Sequence, residues 1–392
     1  MILHTYARLT GISMVYTFAT YLVVPVLAPY FASLGYSEMA ISLLFGLFPL
    51  IMVFGGVLMG ALSHRVGRYW VLLVAFLLNI IAYWLYLFGA PLAIIAGRVL
   101  DAVCFSAVGV LLLAKLEDSL DDKTRGRFTG ITLSLEYASK LAAPIIGGVL
   151  ADKYIGAPFV VSIILFAILA FVLRSSAFHL KPVHAAVQPL AALRWFFATA
   201  SLRPFAVLGP TMAATVAAFV VFLPLMITAE FGLPYVSVGA AFAVLSAAHL
   251  LQFFFGDLSD QYGRKPFIIA GCALYGSMML IIAFVVSSYE GLLVALGIVG
   301  IGSAVWNIVA WSAMSDIATR EQKEGLLVGS YVSVAKIGET FGFLLGGVLV
   351  AITGIRSVFF ALGCVALLGT LAAAVMFLAE LERGKGALPK AR

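Results

Sequence analysis

Apolar segments of about twenty residues recur along the chain and alternate with short segments that contain polar residues and glycine. An α-helix of about twenty residues crosses the hydrocarbon core of a bilayer, which is roughly 30 Å thick. Strands of a membrane barrel would instead show alternating segments of about ten residues, and the sequence lacks that pattern. The pattern therefore predicts an all-α membrane protein with twelve transmembrane helices, over residues 9–33, 38–62, 69–89, 91–115, 128–151, 157–179, 204–229, 235–257, 266–288, 291–316, 325–352 and 356–381.

The composition agrees with this class. Hydrophobic residues make up 63% of the 392 residues, charged residues make up 11%, and the mean hydropathy is +1.12. A soluble domain of this length needs more polar surface. The three cysteines lie inside apolar segments, which predicts packing roles and neither a disulfide framework nor a metal site.

Two polar hairpin sequences repeat about two hundred residues apart. GALSHRVGRYWVLL covers residues 60–73 and GDLSDQYGRKPFII covers residues 256–269, and both copies keep Gly, Leu, Ser, Gly and Arg at matching positions. A second repeat matches Gly147 and Gly148 with Gly346 and Gly347. Parallel repeats of this kind build many secondary transporters. The repeats predict two pseudo-symmetric six-helix bundles.

The predicted organisation has four parts. The bundles cover residues 1–179 and 204–381, and residues 382–392 form a tail. Residues 180–203 form a linker whose amphipathic stretch is predicted to lie along the membrane interface.

Basic residues gather in the loops on one predicted face, among them Arg65, Arg68, Arg125, Arg264 and Lys265. Loops rich in Lys and Arg stay in the cytoplasm. An even number of spans places both termini on that side. We therefore expect a cell inner membrane protein with cytoplasmic termini, and the net charge of +6 points to the lipid surface and not to nucleic acid.

Three pairs of opposite charge lie deep inside predicted helices: Arg98 with Asp101, Glu136 with Lys140, and Lys336 with Glu339. An ionised side chain at the bilayer centre costs about 2.5–3.5 kcal/mol. Spacings of three or four residues place each pair on one helical face. The pairs therefore indicate either binding of substrate and protons or ion pairs that orient helices.

The repeat also places Lys140 and Glu339 at equivalent positions, so we expect them to meet in one shared aqueous cavity. Glu136 and Glu339 are the predicted proton carriers. Tyr137, Trp306 and Asn307 are further candidates to line the cavity, for which helix packing is the alternative. His249 is a lone intramembrane histidine, for which packing or proton exchange is open.

These motifs resemble those of the major facilitator superfamily along nearly the whole chain. The family loop G-x-L-a-D-r-x-G-r-[kr] is matched by the second hairpin, whereas His64 replaces the aspartate in the first. GRVLDAV around Arg98 resembles a second family motif, and Ala142–Gly148 resembles the G-P-x-x-G-G motif of proton-linked antiporters. The resemblance implies that the hairpins hold a cytoplasmic gate, through Gly60, Arg65, Gly67 and Arg68 in the first copy and Gly256, Asp260, Gly263 and Arg264 in the second.

The sequence has no Walker loop, no H-E-x-x-H motif and no nucleophile elbow. We therefore predict that the protein is not an enzyme and needs no cofactor or metal. The energy source is expected to be an ion gradient, for which the resemblance favours protons.

The function predicted from these features is secondary active transport of a small solute by alternating access, most simply proton-coupled export of an amphiphilic compound by a monomer. A proton symporter or exchanger for a charged or zwitterionic solute is an alternative, since the Lys/Glu pairs suit such a solute. A non-transporting scaffold or sensor with the same fold is an alternative from another class. The sequence leaves the substrate, the direction of transport and the choice between protons and sodium open.

Overall fold

The computed structural model describes residues 2–118, 122–174 and 189–386, and the secondary structure of these residues is helical without any strand. The helices are α1 (Ile2–Ser33), α2 (Glu38–Val66), α3 (Arg68–Phe88), α4 (Pro91–Asp118), α5 (Asp122–Lys153), α6 (Ala157–Arg174), α7 (Pro189–Ala198), α8 (Arg203–Ala214), α9 (Leu223–Leu225), α10 (Tyr235–Ala247), α11 (Gln252–Tyr262), α12 (Arg264–Phe284), α13 (Tyr289–Arg320), α14 (Glu324–Thr353) and α15 (Ile355–Gly386).

Helix ends follow from local residue chemistry. Ser37 caps α2 by accepting a hydrogen bond from the backbone N–H of Ala40 at 3.3 Å, and Ser288 caps α13 by accepting from Gly291 at 3.1 Å. Such caps satisfy N–H groups that have no partner within the helix. Gly89 ends α3 in the left-handed conformation, with φ +75°, which glycine adopts at low cost.

Within the described residues, eleven helical stretches are long and apolar enough to cross a membrane. They correspond to eleven of the twelve predicted spans. The fifth predicted span forms α5, which has 32 residues but is less apolar than its neighbours. Its polar residues include Glu136 and Lys140, so the helix that departs most from a simple apolar span also carries a predicted functional pair.

The predicted spans 204–229 and 235–257 correspond to helical stretches at Ala200–Glu230 and Tyr235–Tyr262, but neither stretch is a single α-helix. The first consists of α8 and α9 with π-helical segments at Ala218–Phe222 and Met226–Glu230. The second consists of α10 and α11 joined by a 3₁₀ segment at Ala248–Leu251. Prolines 210 and 224 remove backbone donors from the first span. The hydropathy pattern reports only the length and the polarity of a segment, so it does not detect a change of helix type within that segment.

The first compact unit comprises Met1–Ala186 and Phe219–Leu250. Aromatic side chains of α1, α3 and α6 form its core. The rings of Tyr83 and Phe166 lie 5.1 Å apart, and those of Tyr30 and Phe159 lie 4.8 Å apart. Tilted and edge-to-face contacts of this kind add to the stabilisation that ring burial provides. This core fixes α1, whose polar residues contribute to the candidate site.

The second compact unit comprises Val187–Ala218 and Leu251–Arg392. Two glycines of α14 allow its backbone to contact α8. A Cβ atom on Gly342 would lie 2.0 Å from the carbonyl oxygen of Ala214, and one on Gly338 would lie 2.1 Å from that of Pro210. Small residues permit this close approach of membrane helices.

These units do not coincide with the predicted bundles, because Phe219–Leu250 belongs to the first unit. The predicted boundary at 180–203 follows the sequence repeat and stays a prediction. Part of the predicted linker forms α7, in which Phe196 is buried and Phe197 is exposed, as an amphipathic helix requires. The predicted linker residues 180–188 and the tail residues 387–392 lie outside the described residues.

Candidate functional site

A cavity of about 180 Å³ lies among α1, α4 and α5 in the first unit. Its lining contains both members of the predicted pair Glu136 and Lys140. The other lining residues are Leu9, Ser13, Tyr16, Thr17, Tyr21, Phe105, Val108, Gly109, Leu112, Leu116 and Thr132. The spacing of four residues on α5 thus directs both charged side chains to one cavity.

Hydrogen bonds between α1 and α5 position the carboxylate. The hydroxyl group of Ser13 donates to Oε1 of Glu136. One turn earlier, the hydroxyl groups of Thr10 and Thr132 lie 2.9 Å apart. These contacts fix the register of the two helices, and Ser13 holds one oxygen of Glu136 at the cavity wall.

Aromatic rings surround the ammonium group of Lys140. Its Nζ atom lies 4.7 Å from the ring centroid of Tyr137 and 5.7 Å from that of Tyr21. A ring face attracts a cation at these distances. The ring of Tyr137 also stacks on His249, with centroids 5.7 Å apart and planes inclined by 19°. Tyr137 therefore connects Lys140 to the 3₁₀ segment that contains His249.

Arg98 and Asp101 lie elsewhere in the first unit, outside the lining of this cavity. Each is 5% exposed, and Nη1 of Arg98 lies 3.6 Å from Oδ2 of Asp101. Arg98 donates to the carbonyl oxygen of Leu44 at 3.2 Å, and the Tyr86 hydroxyl donates to Asp101 at 3.0 Å. Two phenylalanine rings, Phe45 and Phe48, each lie 4.7 Å from the guanidinium group. Protein groups thus partner both charges, which favours the structural alternative for this pair.

The second unit contains the third charged pair. Nζ of Lys336 lies 2.5 Å from Oε2 of Glu339, and both side chains are largely buried on α14. Trp306 and Asn307 are half-buried on α13. Because Lys140 and Glu339 belong to different units, their predicted meeting in one cavity stays a prediction, as do the binding roles of Trp306 and Asn307.

The two hairpins have the same local geometry. Gly67 has φ +91° and ψ 139°, and Gly263 has φ +94° and ψ 140°. In each copy the serine hydroxyl three residues after the first glycine of the motif donates to that glycine's carbonyl oxygen at 2.7 Å, from Ser63 to Gly60 and from Ser259 to Gly256. The glycines are required because φ near +90° strains other residues.

The arginines of the hairpins differ. Arg68 is buried and Arg65 is exposed in the first copy. In the second copy, Arg264 lies 3.0 Å from Asp260 and 2.8 Å from Asp316 of α13. The sequence analysis named Asp260 as a gate residue but did not predict that it pairs with Arg264, and it missed Asp316. The predicted gating role of these residues stays a prediction.

The sequence analysis also missed Ser13. The signal that was available is the spacing of Tyr6, Thr10, Ser13 and Thr17, which recur every three or four residues on an otherwise apolar helix. That spacing places them on one face. All four residues have hydrogen bonds to α5 residues or a place in the cavity lining.

Residues 9–250 and 205–392 match the family model of the Major Facilitator Superfamily. An MFS-type transporter of Methanocaldococcus jannaschii is 36% identical over 123 residues, so the chain aligns with only 31% of that relative's length. The tetracycline resistance protein class C of Escherichia coli is 25% identical over 83% of this chain and 84% of its own.

Solved structures share the same fold. A POT family transporter in complex with 5-aminolevulinic acid has a TM-score of 0.80 and 13% sequence identity, over 94% of this chain and 95% of its own. The family model covers the chain from its first predicted span to its last residue, and the motifs, repeats and helices described above agree with it. This chain is a member of the Major Facilitator Superfamily.

Proposed function

We propose that this protein exports a small amphiphilic solute in exchange for protons, and that Glu136 carries the proton. The observation that supports this proposal most is the placement of Glu136 in a cavity next to aromatic rings and Lys140. Ionisable side chains inside a membrane span are costly and usually serve transport. The cavity offers a carboxylate for protons and ring faces for an amphiphilic solute.

The contact between Ser13 and Glu136 suits a group that gains and loses a proton. A serine hydroxyl donates to a carboxylate and accepts from a carboxylic acid. Ser13 therefore holds Glu136 at the cavity wall in both states. In the proposed cycle a proton binds a carboxylate oxygen of Glu136 on one side of the membrane and leaves on the other side.

The similar proteins support export as the direction of transport. The long alignment with a tetracycline resistance protein favours export of a small compound. The sequence of Ala142–Gly148, which resembles the antiporter motif, favours exchange with protons. Cytoplasmic termini, an inner membrane location and action as a monomer stay predictions that accompany this proposal.

A second candidate is symport or exchange of a charged or zwitterionic solute. The observation that favours it is the presence of one cation and one carboxylate, Lys140 and Glu136, in the same cavity. A zwitterion satisfies both groups, whereas an apolar compound leaves both without an ionic partner.

Flux measurements in proteoliposomes test the proposal. Tetracycline is the first probe, followed by a panel of amphiphilic drugs and zwitterionic metabolites chosen by thermal-shift screening at two pH values. We expect an imposed pH gradient to drive uptake of an amphiphilic probe into inside-out vesicles. Exclusive transport of zwitterions would favour the second candidate, and flux no faster than in empty liposomes for every probe would support the scaffold alternative.

Two variants connect flux to the proposed proton carrier. Glu136→Gln keeps the shape of the side chain and removes its proton exchange, so proton-driven flux is expected to disappear. Glu290→Gln, at an exposed position in the first turn of α13, is the matched control and should keep wild-type flux. Normal proton-driven flux in Glu136→Gln would exclude Glu136 as the carrier.

A further inference from the structure

Helix α7 is fixed to the polar turn that joins α13 to α14. The indole Nε1 of Trp195 donates a hydrogen bond to Oε2 of Glu321 at 2.6 Å. Nζ of Lys323 lies 3.8 Å from the same oxygen atom and 5.4 Å from the centroid of the Trp195 ring. One carboxylate therefore binds both the indole of α7 and a lysine of the turn, and all of these residues belong to the second unit.

The residue after Trp195 defines the depth of α7 relative to the spans. Phe196 is fully buried, and its ring lies 6.4 Å from that of Tyr331 in α14. Tyr331 lies four residues, or about one helical turn, inside the apolar stretch that begins at Leu327. Trp195, in contrast, contacts the polar turn between that stretch and the one that ends at Arg320. Helix α7 therefore lies at the level where the hydrocarbon core of a bilayer meets the lipid headgroups.

The chain leads from α7 directly into a span. Helix α7 ends at Ala198, and the apolar stretch that contains α8 begins at Ala200. One intervening residue keeps the end of α7 close to the membrane surface. Nε of Arg203 also donates to the carbonyl oxygen of Phe197 at 3.4 Å, which connects the end of α7 to the start of the span.

The exposed edge of α7 combines an aromatic ring with positive charge. Arg194, Phe197 and Ala198 are exposed, and spacings of three and four residues place them on one edge of the helix. Phe197 keeps 51% of its surface exposed. Residues 189–204 contain two arginines and neither aspartate nor glutamate. This edge therefore suits a partner that offers both apolar surface and negative charge.

We propose that the exposed edge of α7 binds anionic phospholipid, with the Phe197 ring among the upper acyl chains and Arg194 and Arg203 at the lipid phosphates. Aromatic and basic residues on such a helix bind a membrane through apolar burial and through attraction to anionic lipids. An acidic soluble protein is the less suitable occupant, because it would have to cover a phenyl ring at the depth of the headgroups.

Native mass spectrometry of the purified full chain tests the choice of lipid. The chain is equilibrated with equal amounts of phosphatidylcholine and phosphatidylglycerol, and the retained molecules of each lipid are counted. We expect the wild type to retain phosphatidylglycerol in preference. Arg194→Gln is expected to lower the affinity for phosphatidylglycerol about fivefold, as the removal of one basic residue at a lipid surface predicts.

Two further variants separate a local site from a general effect of charge. Arg194→Lys keeps the positive charge and should keep most of the preference. Arg174→Gln removes the same charge from an exposed arginine at the end of α6 and should leave the preference unchanged. Equal retention of both lipids by the wild type, or equal losses in Arg194→Gln and Arg174→Gln, would overturn the proposal.

The depth of Phe197 gives an independent test that leaves both arginines in place. A nitroxide label is attached to Phe197→Cys in nanodiscs of the same lipid mixture; Cys104 and Cys272 are buried, and Cys364 is replaced by alanine. Oxygen concentrates in hydrocarbon whereas a nickel chelate stays in water, so the label should collide more often with oxygen. A label that the chelate reaches as readily as free label in buffer would show that the edge faces water, and would overturn the proposal. Neither readout measures flux, so this proposal and the proposed transport function fail separately.

Discussion

The first unit contains two pairs of opposite charge whose surroundings differ. Arg98 and Asp101 are each 5% exposed, and protein groups partner both. Glu136 and Lys140 line a cavity, where a serine hydroxyl contacts the carboxylate and ring faces surround the ammonium. Both pairs consist of an acid and a base three or four residues apart on one helix, so the sequence pattern does not distinguish them.

The difference in surroundings indicates that the enclosed pair stabilises the fold, whereas the cavity pair is available for transport. A buried ion pair with complete hydrogen bonding leaves an uncompensated charge when one partner is removed. A pair at a cavity wall keeps solvent access, and its groups remain available to a solute or a proton. We therefore expect substitutions in the first pair to lower the free energy of unfolding, and substitutions in the second to change transport.

The largest expected loss of stability follows removal of the Asp101 carboxylate. Asp101→Ala leaves the guanidinium group of Arg98 buried without its carboxylate, at a cost of about 3–5 kcal/mol in the free energy of unfolding. Thermal and denaturant unfolding of the purified protein measure this loss. If Asp101→Ala keeps the stability of the wild type, the pair of Arg98 and Asp101 contributes no more to stability than the cavity pair, and the comparison fails.

A smaller loss is expected for the hydroxyl group that partners Asp101. Tyr86→Phe keeps the buried ring and removes the donor 3.0 Å from the carboxylate. A hydrogen bond to a charged group contributes about 1.5–3 kcal/mol. The same unfolding measurement checks this value, and Tyr83→Phe is a control at a neighbouring buried tyrosine. Equal effects in the two variants would contradict a specific role of the Tyr86 hydroxyl.

The smallest loss of stability is expected at the cavity pair. Ser13→Ala removes the hydroxyl partner of Glu136, but the carboxylate stays at a cavity wall that solvent reaches. The cost in unfolding free energy is therefore about 0.5–1.5 kcal/mol, as for a typical hydrogen bond. Ser13→Ala should therefore affect proton-driven flux more strongly than it affects the free energy of unfolding. A loss of stability as large as that of Asp101→Ala, with normal flux, would reverse the comparison.

Much of the fold followed from the sequence because length, hydropathy and repeated glycines are local signals. The hairpins at Gly67 and Gly263 match in sequence, and their φ and ψ angles agree within a few degrees. The assignment of Phe219–Leu250 to the first unit was not predictable in this way. It depends on contacts with α5 and on helix interruptions, and only Pro210 and Pro224 signal the latter in the sequence.

The candidate site was predicted less completely. The pattern identified Glu136, Lys140 and Tyr137 because charges and rings on one helical face are visible in the sequence. It did not separate them from Arg98 and Asp101, because the groups that enclose the latter come from α2 and α3, far away in the sequence. Such enclosure is a property of tertiary packing and has no local signature.

The most direct test of this account measures proton-driven flux per folded molecule in Glu136→Gln and Asp101→Asn, reconstituted side by side with the wild type. We expect Glu136→Gln to be stable and to lose proton-driven flux, whereas Asp101→Asn is less stable but each folded molecule transports at a rate close to that of the wild type. Normal flux in Glu136→Gln, together with loss of flux in well-folded Asp101→Asn, would contradict the account, because the enclosed pair would then carry the proton.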